Sequence, residues 1–187
     1  MKKLLSILSI CLVFVSCSPD RVLFEELSRE GPLMYFEGKP FTGVGFGIYE
    51  DGQLRFEWNY KAGKEDGLWS NWDDNGQLKG EMNFKDGKRD GLYQVWYDNG
   101  QLRSEWNYKD GKKDGLHQSW YENGQLKGEM NFKNGKLDGF YQQWYDNGQL
   151  YREINLKDGK EDGLEQEWDE NGQLLREETY KDGVKIN

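Results

Sequence analysis

The sequence predicts an all-β protein, an elongated antiparallel β-meander of repeated 24-residue hairpins in a single-layer sheet. Glycine recurs every 24 residues in three registers, which together hold eighteen of the chain's 24 glycines. Each repeat also has two turn signals, separated by short runs rich in Tyr, Trp and Phe. A fixed period of this length indicates a repeat array, whose units bury apolar surface only against their neighbours. The registers are Gly43, Gly67, Gly91, Gly115, Gly139, Gly163; Gly52, Gly76, Gly100, Gly124, Gly148, Gly172; and Gly63, Gly87, Gly111, Gly135, Gly159, Gly183.

Residues 1–16 have the features of an export signal peptide. Lys2 and Lys3 precede a short apolar run that ends at Val15, too short for a permanent membrane-spanning helix. The segment Val15-Ser16-Cys17 resembles the lipobox of bacterial lipoproteins, in which the cysteine is lipidated and becomes the mature N-terminus. Cys17 is therefore the predicted lipidation site. The alternative is an ordinary secretory signal that happens to contain cysteines.

The charge of the mature chain restricts its partners. Cleavage before Cys17 would remove two lysines and no acid, so the formal charge would change from −9 to −11. Such an acidic chain is not expected to bind nucleic acid or anionic lipid head groups. Membrane association is therefore expected from the lipid anchor. No second cysteine would remain, so an intrachain disulfide is excluded.

The domain boundaries follow from where the repeat becomes visible. Residues 17–32 are predicted to be the lipidated N-terminus and a linker, and residues 33–187 the hairpin repeats. Val22-Leu23-Phe24 fits a short helix or a short strand, and the sequence does not decide between them. Gly31-Pro32 marks the boundary.

Two turns divide each repeat into two strands, which gives about a dozen strands in all. Asn75-Gly76 and Asp86-Gly87 are both predicted to be two-residue hairpin loops, because these pairs tolerate positive φ at both positions. This predicts a register in which three cross-strand pairs flank the first loop and two flank the second. The predicted pairs are Asp73 with Leu78, Asn71 with Gly80, Trp69 with Met82, Met82 with Gly91, and Phe84 with Arg89.

The predicted register separates two faces of the sheet. The more apolar face collects Leu78, Met82, Phe84, Trp69 and Tyr97, and is the expected core. Gly91 is expected to leave room there for Met82. The opposite face carries Leu92, regular columns of Glu and Asn, and a candidate binding strip of five tryptophans about 10 Å apart. The strip consists of Trp72, Trp96, Trp120, Trp144 and Trp168.

The tryptophan column has two interpretations. One is structural, with aromatic cross-strand packing under lysine stems. The other is a binding strip, since exposed aromatic side chains favour interfaces. Both roles are compatible with the same residues.

The repeat resembles a known family. The carrying residues are Asp90-Gly91-Leu92, Trp96-Tyr97, Asn99-Gly100-Gln101-Leu102, Glu105 and Tyr108 to Lys112, with equivalents in the other units. They are similar to the variant MORN (membrane occupation and recognition nexus) repeat typical of the bacterial YwqK-type antitoxin family. The resemblance covers about 33–187 and implies a MORN-like sheet used for protein–protein contact, in some members to neutralise a toxin.

A second resemblance concerns Trp-Tyr-Asp-Asn-Gly. This segment is similar to the aromatic repeats of choline-binding and cell-wall-binding modules, whose aromatic side chains cage quaternary ammonium groups or stack on sugars. Those repeats are typically shorter and lack the second Asp-Gly turn, so the 24-residue spacing favours the MORN variant.

Catalytic and metal chemistry are not indicated. His117 is the single histidine and occupies a column otherwise filled by Trp69, Tyr93, Tyr141 and Glu165, so a packing or surface role is expected. Zinc-ligand spacing is absent, and the Asp-Asn clusters are explained by turn formation. We therefore expect no enzyme activity, no catalytic residues, no metal and no cofactor. The extra charge of Glu165, Glu167 and Glu178 predicts a terminal capping unit that faces water.

These observations predict a non-enzymatic lipoprotein, exported and membrane-anchored in a bacterial cell envelope, with Ser18 favouring the outer membrane. Its repeat sheet is expected to bind another protein, in an antitoxin-like or immunity-like role with a toxin as partner. The alternative is a cell-wall or glycan-binding module that uses the aromatic ladder.

Overall fold

A computed structural model describes residues 20–187, so the predicted signal peptide and Cys17 lie outside the described residues. One long sheet contains fourteen strands in the order β1, then β5 to β17 consecutively, and a separate small sheet contains β2, β3 and β4. The all-β repeat architecture predicted from the glycine period is confirmed. The twelve strands of the meander are β5 Gly43–Ile48, β6 Leu54–Lys61, β7 Lys64–Trp72, β8 Leu78–Lys85, β9 Lys88–Trp96, β10 Leu102–Lys109, β11 Lys112–Trp120, β12 Leu126–Lys133, β13 Lys136–Trp144, β14 Leu150–Lys157, β15 Lys160–Trp168 and β16 Leu174–Lys181, closed by β17 Val184–Lys185.

The N-terminal segment caps the first edge of the array. It contains β1 Arg21–Leu23, a 3-10 turn at Phe24–Glu26, β2 Ser28–Glu30, β3 Leu33–Phe36 and β4 Lys39–Pro40. The segment that fitted either a helix or a strand is thus a strand followed by a helical turn. Strand β1 pairs in parallel with β5, which makes the long sheet mixed at this edge.

The apolar core lies under this segment. Val22, Met34, Phe41 and Tyr60 are buried together, and Trp58 and Trp69 pack against them with three further apolar side chains. Small domains need such a cluster because a single-layer sheet alone buries little apolar surface.

The two turns of each repeat differ. The Asp-Gly loop has two residues, as predicted: Asp86 and Gly87 have φ of 50° and 82°, and Lys85 pairs with Lys88. The Asn-Gly prediction was wrong, because the loop has three residues, 74–76. The N–H of Asp73 donates to the carbonyl oxygen of Gln77, that of Gly76 donates to the carbonyl oxygen of Asp73, and only Gly76 has positive φ. This is a type I turn followed by a left-handed glycine.

Two β-bulges per repeat shift the register. The predicted pairs of Asn71 with Gly80, Trp69 with Met82, and Phe84 with Arg89 are confirmed. Leu78 pairs with Trp72 instead of Asp73, and Met82 pairs with Tyr93 instead of Gly91. Each bulge inserts residues into one strand only, so the pairing beyond it moves.

The second bulge explains Gly91, whose neighbour is Asn83 and not the predicted Met82. Gly91 has φ of 105°, and a Cβ there would lie 3.2 Å from the Cβ of Asn83. The amide of Asn83 donates to the carbonyl oxygen of Leu92 across the bulge. The conformation and the close contact together require glycine.

The first bulge decides which side chains share a face. Its extra residue, Lys79, lies in β8, so alternation along β7 is intact and Trp72 faces away from Trp69. Leu78 pairs with Trp72 and joins it there, which corrects its predicted place on the core side. We call the face with Trp72 and Glu81 the ladder face, and the face with Trp69 and Met82 the core face.

Backbone contacts between successive repeats hold the array together. The carboxylate of Asp90 accepts a hydrogen bond from the N–H of Asp110 at 3.1 Å, and the N–H of Gly111 donates to the carbonyl oxygen of Arg89 at 2.8 Å. Equivalent bonds recur along the sheet. They give hydrogen-bond partners to the backbone N–H groups of the left-handed turn residues, which have no partner within their own hairpin.

Candidate functional site

The five predicted tryptophans form one column on the ladder face. Each pairs directly with a leucine of the following strand, so the column alternates tryptophan and leucine. All five are partly buried, and none is as exposed as Leu68 or Phe140, at 38% each. The pairs are Trp72 with Leu78, Trp96 with Leu102, Trp120 with Leu126, Trp144 with Leu150, and Trp168 with Leu174.

Tyrosine hydroxyl groups of one repeat bond to the tryptophan carbonyl oxygens of the next repeat and hold the backbone of the column in place. The Tyr97 hydroxyl donates to the carbonyl oxygen of Trp120 at 2.8 Å, and Tyr121 makes the same bond to Trp144. Within residues 20–187, none of the five indole N–H groups forms a hydrogen bond with the protein. These five donors remain available to water or to a bound partner.

A ladder of Gln and Glu runs beside the tryptophan column. Gln94 pairs with Glu105 and donates to its carboxylate at 2.7 Å, and Gln118 donates to Glu129 at 3.1 Å. Gln142 with Glu153, and Gln166 with Glu177, repeat the arrangement. Each glutamine spans one strand pair, so the ladder presents a continuous row of polar groups.

A second apolar row lies on this face; the sequence predicts Leu92 here, but not the row to which it belongs. It consists of the residues that directly follow the bulge glycines, the column to which Gly91 belongs. Its members Leu68, Phe140 and Leu164 are exposed by 38%, 38% and 36%. The recurring Asp-Gly-Leu or Asp-Gly-Phe triplet was the available signal. At two of these positions the asparagine of the neighbouring strand donates to the carbonyl oxygen of the leucine, from Asn59 to Leu68 and from Asn83 to Leu92.

A row of lysines borders the ladder face at the two-residue turns. Ten lysines form five directly opposed pairs, all exposed, and none forms an ion pair within the described part of the chain. Opposed like charges are unfavourable. They are tolerated here because the side chains reach into water. The pairs are Lys61 with Lys64, Lys85 with Lys88, Lys109 with Lys112, Lys133 with Lys136, and Lys157 with Lys160.

On the core face, His117 is a packing residue. It is 6% exposed, its ring stacks on Trp106 with centroids 3.4 Å apart, and neither ring nitrogen has a hydrogen-bond partner in the described structure. Burial, and to a lesser extent the nearby Lys113 ammonium, lowers the pKa of His117 from 6.5 to about 4. A general base must hydrogen-bond to the nucleophile that it activates, and the His117 ring bonds to no such group among residues 20–187.

The last repeats carry an ionic cluster in place of aromatic packing. Glu165 is 1% exposed and accepts hydrogen bonds from Arg152 and Arg176. The prediction that these acids face water was therefore wrong for Glu165, because the two guanidinium groups cover it. A hydrogen bond from Lys185, then one from Tyr180, lowers the pKa of Glu178 to about 2.

No group of three or more possible metal ligands occurs among residues 20–187. None of the helical segments described is long and apolar enough to cross a membrane.

The tandem hairpins, their two bulges and the repeat-to-repeat hydrogen bonds define a tandem-repeat β-sheet scaffold. The family model described as MORN repeat variant matches residues 41–62, 65–86, 89–110, 113–134, 137–158 and 161–182. The chain belongs to this family. A search of curated proteins found no match.

Two solved structures of TarM resemble this chain weakly. A crystal structure of a S. aureus TarM mutant in complex with Fondaparinux, alpha-GlcNAc-glycerol and UDP has a TM-score of 0.34 and 11% identity, and the match covers 51% of this chain and 19% of that one. A second TarM crystal structure has a TM-score of 0.33 and 11% identity, covering 52% and 19%. The match thus spans about a fifth of TarM, and scores this low carry no argument about function.

Proposed function

We propose that this chain is a non-enzymatic lipoprotein, anchored through Cys17 in a bacterial cell envelope, whose ladder face binds another protein. The observation that carries the proposal is the open ladder face. Extensive contacts within the array occur between neighbouring strands, and the N-terminal core packs on the other side, so among residues 20–187 no second layer covers this face.

The composition of the ladder face fits a protein partner. Exposed Leu68, Phe140 and Leu164 provide apolar contact, and the Gln–Glu ladder provides hydrogen-bonding groups beside them. An apolar strip bordered by polar groups is typical of protein interfaces. The family resemblance makes an antitoxin-like or immunity-like role of the YwqK type the finer form of this proposal, with a toxin as the partner.

Binding of a cell-wall glycan through the tryptophan column is the second candidate. The unpaired indole N–H groups favour it, since successive members lie about 10 Å apart and could each meet one unit of a linear polymer. The partly buried rings reduce the area available for stacking on sugars.

Capture from envelope extract tests the first candidate. A triple variant, Leu68→Thr, Phe140→Thr and Leu164→Thr, removes the most exposed members of the apolar row. The control pair, Leu175→Thr and Val184→Thr, removes two apolar side chains that are even more exposed, at the end of the array. We expect the full-length protein and the control to recover one partner protein in stoichiometric amount, and the triple variant to lose it. Recovery by the triple variant would place the contact elsewhere.

Three further measurements separate the alternatives. Binding to purified peptidoglycan that disappears in Trp96→Ala plus Trp120→Ala, with the circular dichroism spectrum retained, would favour the glycan candidate over the protein partner. Unchanged toxicity of a neighbouring gene product on co-expression would exclude the antitoxin role. Fatty-acid labelling should be abolished by Cys17→Ala, and label that persists would contradict the anchor.

A further inference from the structure

The core face contains a small aromatic pocket between β6 and β9 that the ladder-face proposal does not use. Its volume is about 260 Å³, and Trp58, Trp69, Met82, Phe84 and Tyr93 form its walls. The indole rings of Trp58 and Trp69 stack with centroids 4.5 Å apart, and the Phe84 ring lies 4.3 Å from Trp69. The pocket is smaller than most sites for drug-sized ligands and suits one side chain.

A glycine forms the floor of this pocket. Gly80 has an ordinary backbone conformation, and a Cβ there would lie 2.7 Å from the Asn71 Oδ1 atom. In other repeats the same column holds Ser104, Arg152 and Arg176, so the backbone accepts larger residues. The fold therefore does not require glycine at position 80, and the missing side chain leaves the depression open.

Two polar side chains at the rim, Arg89 and Asn71, have no hydrogen-bond or ion-pair partner among residues 20–187. Within the described residues, the Arg89 guanidinium forms no ion pair and the Asn71 amide forms no hydrogen bond. Arg89 lies 5.5 Å from the centroid of the Tyr108 ring, and Glu65, which has the equivalent place in the preceding hairpin, is paired with Arg29. An unpaired arginine beside an aromatic pocket is suited to a carboxylate.

We propose that this pocket binds the C-terminal residue of a partner polypeptide, with an aromatic side chain in the pocket and the terminal carboxylate on Arg89. The Asn71 amide is placed to bond to the peptide group of that residue. Aromatic walls, one amide and one guanidinium match the three parts of such a residue: side chain, peptide and carboxylate. The inference rests on the proposed function only in that the partner is a protein, since the site lies on the opposite face.

A short peptide provides the test. The probe is acetyl-glycyl-glycyl-phenylalanine with a free carboxylate, titrated into full-length protein while the indole N–H signals of Trp58 and Trp69 are followed by nuclear magnetic resonance. The amide-capped peptide should bind about tenfold more weakly or worse, because a charge-assisted hydrogen bond is lost. Equal binding of the two peptides, or no binding by the wild-type protein, would refute the proposal.

Sister repeats supply variants that the fold should accept. Gly80→Ser introduces the residue found at Ser104, and Arg89→Leu introduces the residue found at Leu137. Both should weaken binding of the free-acid peptide about tenfold. Gly128→Ser is the control, because its repeat has leucine in place of the arginine, and its binding should equal that of the wild type. Unchanged binding in Gly80→Ser would also overturn the assignment.

The outcomes remain separable from those of the proposed function. If the peptide does not bind but the triple variant still loses its partner, the pocket proposal fails and the ladder-face proposal stands. If the peptide binds and the triple variant keeps its partner, the pocket proposal stands and the ladder-face proposal fails.

Discussion

Acidification should destabilise the array through one residue, His117. Its side chain is buried against Trp106, with both ring nitrogens unpaired, and its pKa is lowered from 6.5 to about 4. In the unfolded chain the imidazole takes up a proton near pH 6.5, whereas in the folded chain it remains neutral until about pH 4. The unfolded state therefore binds more protons between these values, and stability falls as the pH falls.

The magnitude follows from the two pKa values. The gap between 6.5 and about 4 corresponds to a maximum loss of about 3 kcal/mol, at about 1.4 kcal/mol for each pH unit. About 2 kcal/mol of this should be lost between pH 7 and pH 5. The lowered pKa of Glu178, at about 2, adds its own loss only at more acidic pH. The range from pH 7 to pH 5 therefore isolates the histidine.

Urea unfolding followed by circular dichroism at pH 7 and pH 5 measures this effect. The matched variant is His117→Tyr, since Tyr93 and Tyr141 occupy the same column. The wild type should lose about 2 kcal/mol over this range, and the variant should lose much less, whatever its stability at pH 7. Equal losses in the two proteins would show that His117 is not the titrating group.

Three further substitutions test the contacts that hold the repeats. Gly91→Ala should cost about 1–3 kcal/mol of unfolding free energy, because of its φ of 105° and the contact with Asn83, whereas Gly128→Ala, with ordinary φ, should be nearly neutral. Asp90→Ala should cost about 1 kcal/mol and speed amide exchange at Asp110, while Asp90→Asn, which keeps an acceptor oxygen, should change both less. Arg152→Gly removes one partner of buried Glu165 and should lower the free energy of unfolding by about 3 kcal/mol. Adding Glu165→Tyr should recover most of this loss, as measured by a double-mutant cycle in urea. If the losses of unfolding free energy from Arg152→Gly and Glu165→Tyr simply add, the two side chains are not coupled and the prediction is wrong.

The Asp-Gly turns could be predicted because their chemistry is local. A two-residue loop with positive φ at both positions accepts few residue pairs, and Asp86-Gly87 is one of them. Asn75-Gly76 gave the wrong loop length. The residues before it contained the missing information, since Asp73-Asp74-Asn75-Gly76 fits a type I turn with aspartate first and glycine last.

The bulges were not predicted, although one had a visible signal. Gly91 recurs inside a strand segment, where glycine often marks a bulge or a close backbone approach. Counting residues from the turns assumed unbroken pairing, and so placed Leu78 on the core face and Gly91 beside Met82. The tryptophan column was placed correctly opposite Trp69, because the extra residue lies in the other strand. The burial of Glu165 depends on Arg176, eleven residues away, and no local pattern indicates it.

The two faces differ in how much they vary from repeat to repeat. On the ladder face, tryptophan and glutamate recur in nearly every unit, so a partner bound there alone would meet almost the same surface after a shift of one repeat, about 10 Å. On the core face, the column of Trp69 and His117 and the column of Gly80 and Arg152 change in almost every unit. Specificity is a difference in binding free energy between alternatives, so a uniform face cannot fix one register. A partner that binds in a single position therefore needs contacts with the core face or with the ends of the array, and the pocket floored by Gly80 is one place where the repeats differ enough to provide them.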